Sequence, residues 1–600
     1  SAGGNRADGI ESFRGGRHHS GAGKIFRGRT TGGRNHFIIV AKSKLKKWLK
    51  RLQWIGLGGL VLVLVGWLTL ALLLRTWEAK PPPLPADASI MSLKPVERDG
   101  KVWLGKSWAG KRDGLLVVYL TGTPFEIGYA DGVLMQDKMH TLENGFLKMI
   151  QGYVPQHWLM EMLKDYIIYR NRDLSNYIPL PYRMEIYATT LGCPDIHPGE
   201  GPYYNRLLNY HAAHDVSYMM IDNPFISARA GCTAFGAWGP VTANGHLITG
   251  RNFDWEAADV FSRDRVVEMC EPDHGIPFIS LSWAGMTGVV SGMNRAGISV
   301  TINGAPSKLP DNIGTPVAIV AREVLQNAHN LDETLKILRD AKVFVSTIWL
   351  IGSRADGKFI VVEKTPAVTN VREATGDMIV CPNHFETPGL KDDPRNTNYM
   401  AEATSVSRDD RMKELLKQAD GTLNVTQAAA ILRDRDLPGG IFAGDGNRAT
   451  LNAFIATHAT VMDLNAGIFW AASPPNQLGK FVPFDVQDFS HELPSLTVPA
   501  DPVLASGEYA RAEEAHQCVV DGPIALKHKD PIKALALAER AETLNPGFYQ
   551  NDTLRGRALL AMGRKAEAAK AFEKALTEHP AFLSEQRQLE SLLQQARSAK

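Results

Sequence analysis

Cysteine is scarce, at five in 600 residues. No two of them form a Cys-x-x-Cys pair, which excludes a four-cysteine zinc site and a small disulfide-stapled scaffold. An odd number leaves at least one thiol unpaired. Net charge is also nearly missing: 66 Lys and Arg against 64 Asp and Glu give +2. That removes any whole-chain electrostatic case for binding nucleic acid. Long uncharged apolar runs are absent except in one place, which excludes a multi-span membrane protein. With 44% hydrophobic and 22% charged residues, the chain is neither disordered nor collagen-like and can bury a large core. Its length implies several domains, or one large domain with additions.

The near-neutral total hides opposed segments. Residues 1–51 hold 13 Lys or Arg against Asp8 and Glu11, a local +11 that leaves −9 for the remainder. Residues 1–35 are rich in Gly, Arg and Ser without apolar periodicity, so 1–51 reads as a basic, disordered cytoplasmic tail. Ile55 to Leu74 is the single long run, 20 residues without a charge. As a helix it is about 30 Å long, the hydrocarbon thickness of a bilayer. Trp54 and Trp77 flank it, Lys42, Lys44, Lys46, Lys47, Lys50 and Arg51 precede it, and 52–77 reads as a signal anchor. The positive-inside rule keeps the N-terminus in the cytoplasm and exports the rest. The run is long for a cleaved signal, and no small-residue cleavage site follows. Residues 78–90, with Pro81, Pro82 and Pro83, form a stiff linker.

At the other end, residues 506–600 become rich in Ala, Glu, Lys, Arg and Leu with helical periodicity. Gly556, Leu559, Gly563, Ala568, Phe572, Ala575, Leu576 and Pro580 follow Ala534, Ala538, Ala541 and Pro546 at the 34-residue tetratricopeptide period. This predicts an all-α tail of about two repeats and a capping helix, docked on the body and offering a surface for a protein partner. A plain helical hairpin is the alternative.

Of the five cysteines, Cys193, Cys270, Cys381 and Cys518 read as core or surface thiols. Cys232 stands apart by its setting. Gly231-Cys232-Thr233 opens an apolar run, Asn244-Gly245 marks a hairpin turn, and Gly250-Arg251-Asn252-Phe253-Asp254-Trp255 closes the return strand. A hairpin there brings Arg251 and Asp254 back beside Cys232.

These stretches resemble the signature of N-terminal-nucleophile hydrolases. The likeness is greatest to the acyl-coenzyme A:6-aminopenicillanate acyltransferase group (peptidase family C45), with choloylglycine hydrolases as cousins. Further blocks agree in order: Gly122 to Gly132, Asn294 to Asn303 (with Arg295 in place of the usual acid), Pro382-Asn383-His384-Phe385, Ser407 to Arg411, and Thr450 to Ala472 as a late strand pair. The resemblance spans residues 115–490 or thereabouts.

It implies an α+β fold over 91–500, a four-layer αββα sandwich of two packed antiparallel sheets, with added helical material over 135–225. It implies an inactive precursor cleaved between Gly231 and Cys232. The thiol attacks the Gly231 carbonyl, an N-to-S acyl shift gives a thioester, and water opens it. A glycine before the nucleophile suits the backbone geometry of that attack. The freed α-amine, with a pKa of about 7.7–8.0, serves as general base on the nucleophile's own residue. Arg251 favours the thiolate and Asp254 orients the amine. Asn303 and Asn383 contribute amide groups, one holding the amine and one or both donating to the oxyanion. Arg408 or Arg411 is the family's late arginine.

No cofactor and no metal are implied. His211, His214 and Asp215 have a tempting metal spacing but no further ligand, and read as packing. The expected substrate is a small N-acyl or lipid-like amide, cleaved by water or passed to an amine, on an exported, membrane-anchored enzyme. Two other readings stand beside it: an inactive scaffold recruiting partners through the tail, and a cell-wall peptidase.

Overall fold

A computed structural model describes residues 33–213, 215, 231–255, 259–306 and 313–598. The chain divides into two compact units, Ser1–Thr76 and Trp77–Lys600. Helix α1 (Gly33–Trp77) starts well before the expected boundary at 51, so residues 33–51 are helical and not disordered. The reason is local: no Gly or Pro interrupts the chain between Gly33 and Gly56, and Lys, Leu and Ala are good helix formers. The rest of the basic tail, residues 1–32, lies outside the described residues. Within α1, Lys46–Gly66 is long and apolar enough to cross a membrane by length and composition.

The second unit is built on two large sheets. In chain order the strands are β1 (Val96–Arg98), β2 (Lys101–Leu104), β3 (Ser107–Arg112), β4 (Leu115–Gly122), β5 (Gly231–Gly239), β6 (Gly245–Asp254), β7 (Val266–Pro272), β8 (Phe278–Ser282), β9 (Ser291–Asn294) and β10 (Ile298–Gly304). There follow β11 (Thr347–Ser353), β12 (Lys358–Lys364), β13 (Thr369–Glu373), β14 (Met378–Cys381), β15 (Asp436–Leu437), β16 (Ile441–Phe442), β17 (Ala456–Asp463), β18 (Ile468–Ala472) and β19 (Phe481–Asp485). The larger sheet runs β1-β2-β3-β4-β7-β8-β9-β10-β11-β12-β13, and the smaller runs β14-β5-β6-β17-β18-β19. Pairing is antiparallel apart from β4 with β7, so the expectation of two antiparallel sheets holds with that one exception.

Strand alternation sorts side chains into layers. Leu115 and Val117 of β4, Ile348 and Leu350 of β11, and Met462 and Phe469 of the smaller sheet share one core between the sheets. The alternate residues Val118, Leu120, Trp349 and Ile351 turn to the other face. There they meet α2 (Pro124–Leu134), α5 (Leu180–Gly192), α7 (Val317–Asn327) and α8 (Leu331–Asp340). Between α2 and α5 come α3 (Gln136–Tyr153) and α4 (His157–Arg170), and α6 (Tyr203–His211) follows α5. On the far face of the smaller sheet, Phe235, Ile248 and Val461 pack against α10 (Ser405–Gln418) and α11 (Val425–Leu432). A further helix, α9 (Pro394–Glu402), precedes these. The order is helices, sheet, sheet, helices.

The block from Gly122 to Gly132 now has a physical reason. Thr123 and Glu126 cap α2 reciprocally, with Pro124 in its first turn. The helix then crosses α5 at backbone contact: a Cβ on Gly128 would lie 2.0 Å from the Glu185 carbonyl oxygen.

The C-terminal segment is helical: α12 (Glu508–Lys527), α13 (Pro531–Leu544), α14 (Tyr549–Ala561), α15 (Lys565–Thr577) and α16 (Leu583–Ser598). It is fastened to the sheet domain. Asp445 N–H donates to Asn545 Oδ1 at 2.9 Å, Asn545 Nδ2 returns a bond to the Asp445 carbonyl at 2.8 Å, and Asn447 Nδ2 donates to the His579 carbonyl at 3.0 Å.

Candidate active site

Pairing of β5 with β6 sets Cys232 opposite Phe253 and Gly231 opposite Asp254. The link between the strands is longer than the two-residue turn read from Asn244-Gly245, since β5 ends at Gly239 and β6 starts at Gly245. Cys232, Arg251, Asp254, Asn303, Asn383 and Arg408 are all buried.

Arg251 Nη2 lies 3.6 Å from Cys232 Sγ. The guanidinium is fixed from several sides. Nη1 donates to the Val290 carbonyl at 3.0 Å, meets Ser291 Oγ, and stands 3.2 Å from His458 Nε2. Nη2 also bonds the Ile302 carbonyl. Arg251 favours the thiolate, but its pull is not the largest effect on the thiol. Burial pushes the Cys232 thiol pKa up and outweighs Arg251, which pulls it down; the Asp254 carboxylate pushes it further up.

Asn383 and Arg408 hold the backbone of Cys232. Asn383 Oδ1 accepts the Cys232 N–H at 2.7 Å and an Arg408 Nη2–H at 2.9 Å. Arg408 Nη1 donates to the Cys232 carbonyl at 2.7 Å and meets Thr233 Oγ1. Arg411 is elsewhere, forked onto both Asp434 oxygens at 2.8 Å. Gly231 is also explained differently from the sequence reading. It sits in extended strand, outside the left-handed region. A side chain there would crowd Arg408, whose Nη2 would lie 3.1 Å from its Cβ.

Asn303 departs from the oxyanion-donor role. Its Nδ2 donates to the Cys381 carbonyl at 2.7 Å and the Pro382 carbonyl at 3.3 Å. Its Oδ1, an acceptor, has no partner among the described residues. The strand end at 381–382 occupies both hydrogens. Asp254 closes β6 beside Gly231, at the expected cleavage point.

Sequence reading missed His458 and Ser291. His458 Nε2 lies 3.1 Å from Ser291 Oγ, and its ring stacks on Phe253 with centroids 5.0 Å apart. Burial, with Arg251 and Arg265 nearby, holds its pKa well below the usual range, so the ring is neutral.

Phe253 and Val290 also belong to the wall of an apolar cavity of about 850 Å³, counting its open mouth. Met139, Leu142 and Phe146 of α3, Leu207 and Tyr210 of α6, and Trp283 complete much of the lining. Buried groups hold its 283–287 wall: Asp131 Oδ2 accepts the Gly285 N–H at 3.0 Å, and His211 Nε2 accepts the Thr287 N–H at 2.9 Å. His211 Nδ1 faces the Leu207 carbonyl at 2.7 Å, and burial lowers the ring's pKa to about 4. Both ring nitrogens therefore serve packing. Asp215 Oδ1 accepts the Val317 N–H at 3.1 Å, and His214 lies outside the described residues. His384, Glu386 and Asp409 place ligand atoms within 4.8 Å of one another. Lys413 Nζ already stands 2.6 Å from Asp409 and 3.3 Å from Glu386. The five cysteines are free and buried.

Residues 241–457 match the model of the family described as acyl-coenzyme A:6-aminopenicillanic acid acyl-transferase. The ordered motifs and this match name the same family. The match takes in Arg251, Asp254, Asn303, Asn383 and Arg408, and Cys232 stands nine residues ahead of it. An uncharacterized protein of Archaeoglobus fulgidus is 23% identical over 420 residues, which are 63% of this chain and 66% of that protein. The chain therefore spans just under two thirds of that relative. The Caenorhabditis elegans ortholog of N-acylethanolamine-hydrolyzing acid amidase aligns in structure at 16% identity and a TM-score of 0.29, over 39% of this chain and 93% of that one. A mutant of the conjugated bile acid hydrolase from Clostridium perfringens aligns at 15% identity and a TM-score of 0.31, over 44% and 95%.

Proposed function

We propose that the chain is a membrane-anchored, self-cleaving cysteine hydrolase or acyltransferase that acts on N-acyl amide bonds through an acyl-thioester on Cys232. The observation that carries this reading is the grip on one residue. Asn383 Oδ1 accepts the Cys232 N–H, Arg408 donates to the Cys232 carbonyl, and Arg251 faces the sulfur.

In maturation, Cys232 Sγ bonds the carbonyl carbon of Gly231 as the Gly231–Cys232 C–N bond breaks. The thiol proton goes to the departing nitrogen. Water then adds to the thioester, leaving a Gly231 carboxylate and returning the thiol. Cys232 becomes the first residue of a new chain. Asn383 Oδ1 is placed to hold its freed amine beside its own thiol, where the amine takes the thiol proton for each later attack. The substrate amide passes its acyl group to sulfur and leaves as an amine carrying that proton. Water or a second amine then takes the acyl group.

The cavity beside Phe253 supports an apolar acyl group, because its wall is mostly aliphatic and aromatic. The +11 tail and the apolar run support a cytoplasmic N-terminus and an exported catalytic body. The paired C-terminal helices support a tetratricopeptide-like surface for a protein partner.

Intact-mass measurement tests the core of the reading. Wild type is expected as two chains split between Gly231 and Cys232, and Cys232→Ala as one. The cleaved protein, given a panel of N-acyl amides and peptides, is expected to show an acyl adduct on Cys232 with the amides. A wild-type chain that stays whole and leaves Cys232 unreactive toward thiol reagents favours the scaffold instead, and a preference for peptides favours the peptidase.

A further inference from the structure

Among the described residues, Glu143 is the only charged side chain in the lining of the apolar cavity, since the His211 ring is neutral. It extends from α3 and is only 6% exposed. A carboxylate taken out of water needs partners on both oxygens. Glu143 has them on one. Oε1 accepts from Arg206 Nε at 3.1 Å and from the Tyr210 hydroxyl at 2.8 Å, both on α6. Oε2 accepts no bond among the described residues.

Nor does Arg206 balance the charge of Glu143. Its Nη1 and Nη2 fork onto Asp195 at 3.2 and 2.6 Å, and Nη1 also donates to the Gly201 carbonyl at 2.6 Å. Its guanidinium carbon lies 4.8 Å over the Tyr203 ring, which fixes it further. One cation therefore serves two carboxylates, and the trio keeps one negative charge in excess.

The rest of the wall suits a cation as well, because aromatic faces attract positive charge. From Glu143 the rings run in a continuous line. Tyr210 meets Phe146 with centroids 5.3 Å apart, and Phe146 meets Phe261 at 6.4 Å. Phe261 meets Trp283 at 6.0 Å, and Trp283 meets Phe253 at 5.9 Å. The line ends at the candidate nucleophile. Phe253 pairs with Cys232 across the strands, and the Arg251 guanidinium lies 4.5 Å over its ring. The cavity thus has two unlike ends, the thiol's at Phe253 and an unbalanced carboxylate at Glu143.

We infer that the cavity takes an amide whose acyl group ends in a protonated amine, with the ammonium on Glu143 Oε2 and the carbonyl carbon at Cys232. The inference rests on reading Cys232 as the nucleophile. Glu143 is then a specificity residue, since it meets the far end of the substrate and none of the reacting atoms. A plain alkyl end leaves Oε2 buried without a partner, and an acidic end meets its charge, so both bind less well.

The test uses the full chain and begins with small ligands. Hexylamine, hexanol and hexanoate share a chain length and differ in the head. Titration calorimetry is expected to give hexylamine a Kd at least about tenfold below that of hexanol, with hexanoate the weakest. Glu143→Gln keeps an oxygen for Arg206 and Tyr210 but has no charge. It should bring hexylamine and hexanol to within about threefold of one another. Each comparison is made within one protein, so a general loss of stability does not mimic it. Equal affinities in wild type overturn the inference without any variant, and a preference undiminished in Glu143→Gln overturns it too. Matched N-acyl amides ending in ammonium or methyl then link the cavity to the reaction, read as the rate of acyl adduct formation on Cys232. The ammonium end is expected to react about tenfold faster. Equal adduct rates with no preference for hexylamine overturn the inference and leave Cys232 as the nucleophile. A preference for hexylamine with no adduct from any amide overturns the reading of Cys232, and with it the cavity's role in holding substrate.

Discussion

Arg251 Nη2 faces Cys232 Sγ at 3.6 Å, and yet the thiol stays protonated more firmly than a free cysteine. Both side chains are removed from water, and taking a thiolate out of water costs more than one fixed cation returns. The thiol therefore waits for a base.

Removing that cation should make the thiol weaker still. Arg251 lowers the Cys232 pKa, so Arg251→Met raises it, and the rising limb of the pH–rate profile moves to higher pH. At a fixed pH on that limb, the rate falls about tenfold for each pH unit that the limb moves. Arg251→Lys keeps the charge and should bring the limb part of the way back, which a loss of packing alone would not do. Single-turnover acylation rates from pH 5 to 10 read the effect.

Arg408 and Arg411 separate by geometry. Arg408→Ala removes the donor to the Cys232 carbonyl and to Asn383 Oδ1. We expect kcat to fall by roughly 10²–10³, the usual scale for losing a fixed charged donor at a reacting centre. Arg411→Ala loses its fork with Asp434 and should lower Tm with kcat nearly unchanged. Equal kinetic losses in the two variants would sink the assignment.

The sequence made the hairpin legible because strand pairing follows a period of two, and register then returns Arg251 and Asp254 to Cys232. Asn383 and Arg408 were legible only as members of ordered blocks. Other features depend on contacts from distant strands and left no local trace. The raised thiol pKa reflects burial. The orientation of Asn303 is set by carbonyls at 381–382, nearly 80 positions away. The helical start at Gly33 was hidden because its charges read as solvation. The cavity needs α3 and α6, whose faces show their purpose only once they pack.

The α2–α5 crossing gives a stability prediction. Gly128→Ala puts a methyl 2.0 Å from the Glu185 carbonyl oxygen, a backbone atom that cannot swing aside. Overpacking of this kind costs about 1–3 kcal/mol. Denaturant melts should show a lower midpoint with an unchanged m-value. Because α2 also carries Asp131, which holds the 283–287 wall, KM should rise as well.

Asp131, Glu185 and Glu268 share one buried cluster with Arg322 and Cys270. Burial pushes Asp131 up to about 7 and Glu268 up to about 8, with Glu185 adding to both. These folded-state values lie above the ordinary carboxyl range. The fold therefore binds these protons more tightly than the unfolded chain. Their contribution is complete below about pH 4 and is lost as pH rises through 7 and 8. Asp131→Asn keeps an oxygen for the Gly285 N–H but has no proton to lose. Its stability should fall less steeply than that of wild type between pH 5 and 9, and the two curves should converge at the acid end. Tm measured across that range decides it, and parallel curves would mean that Asp131 is ionised in the fold throughout.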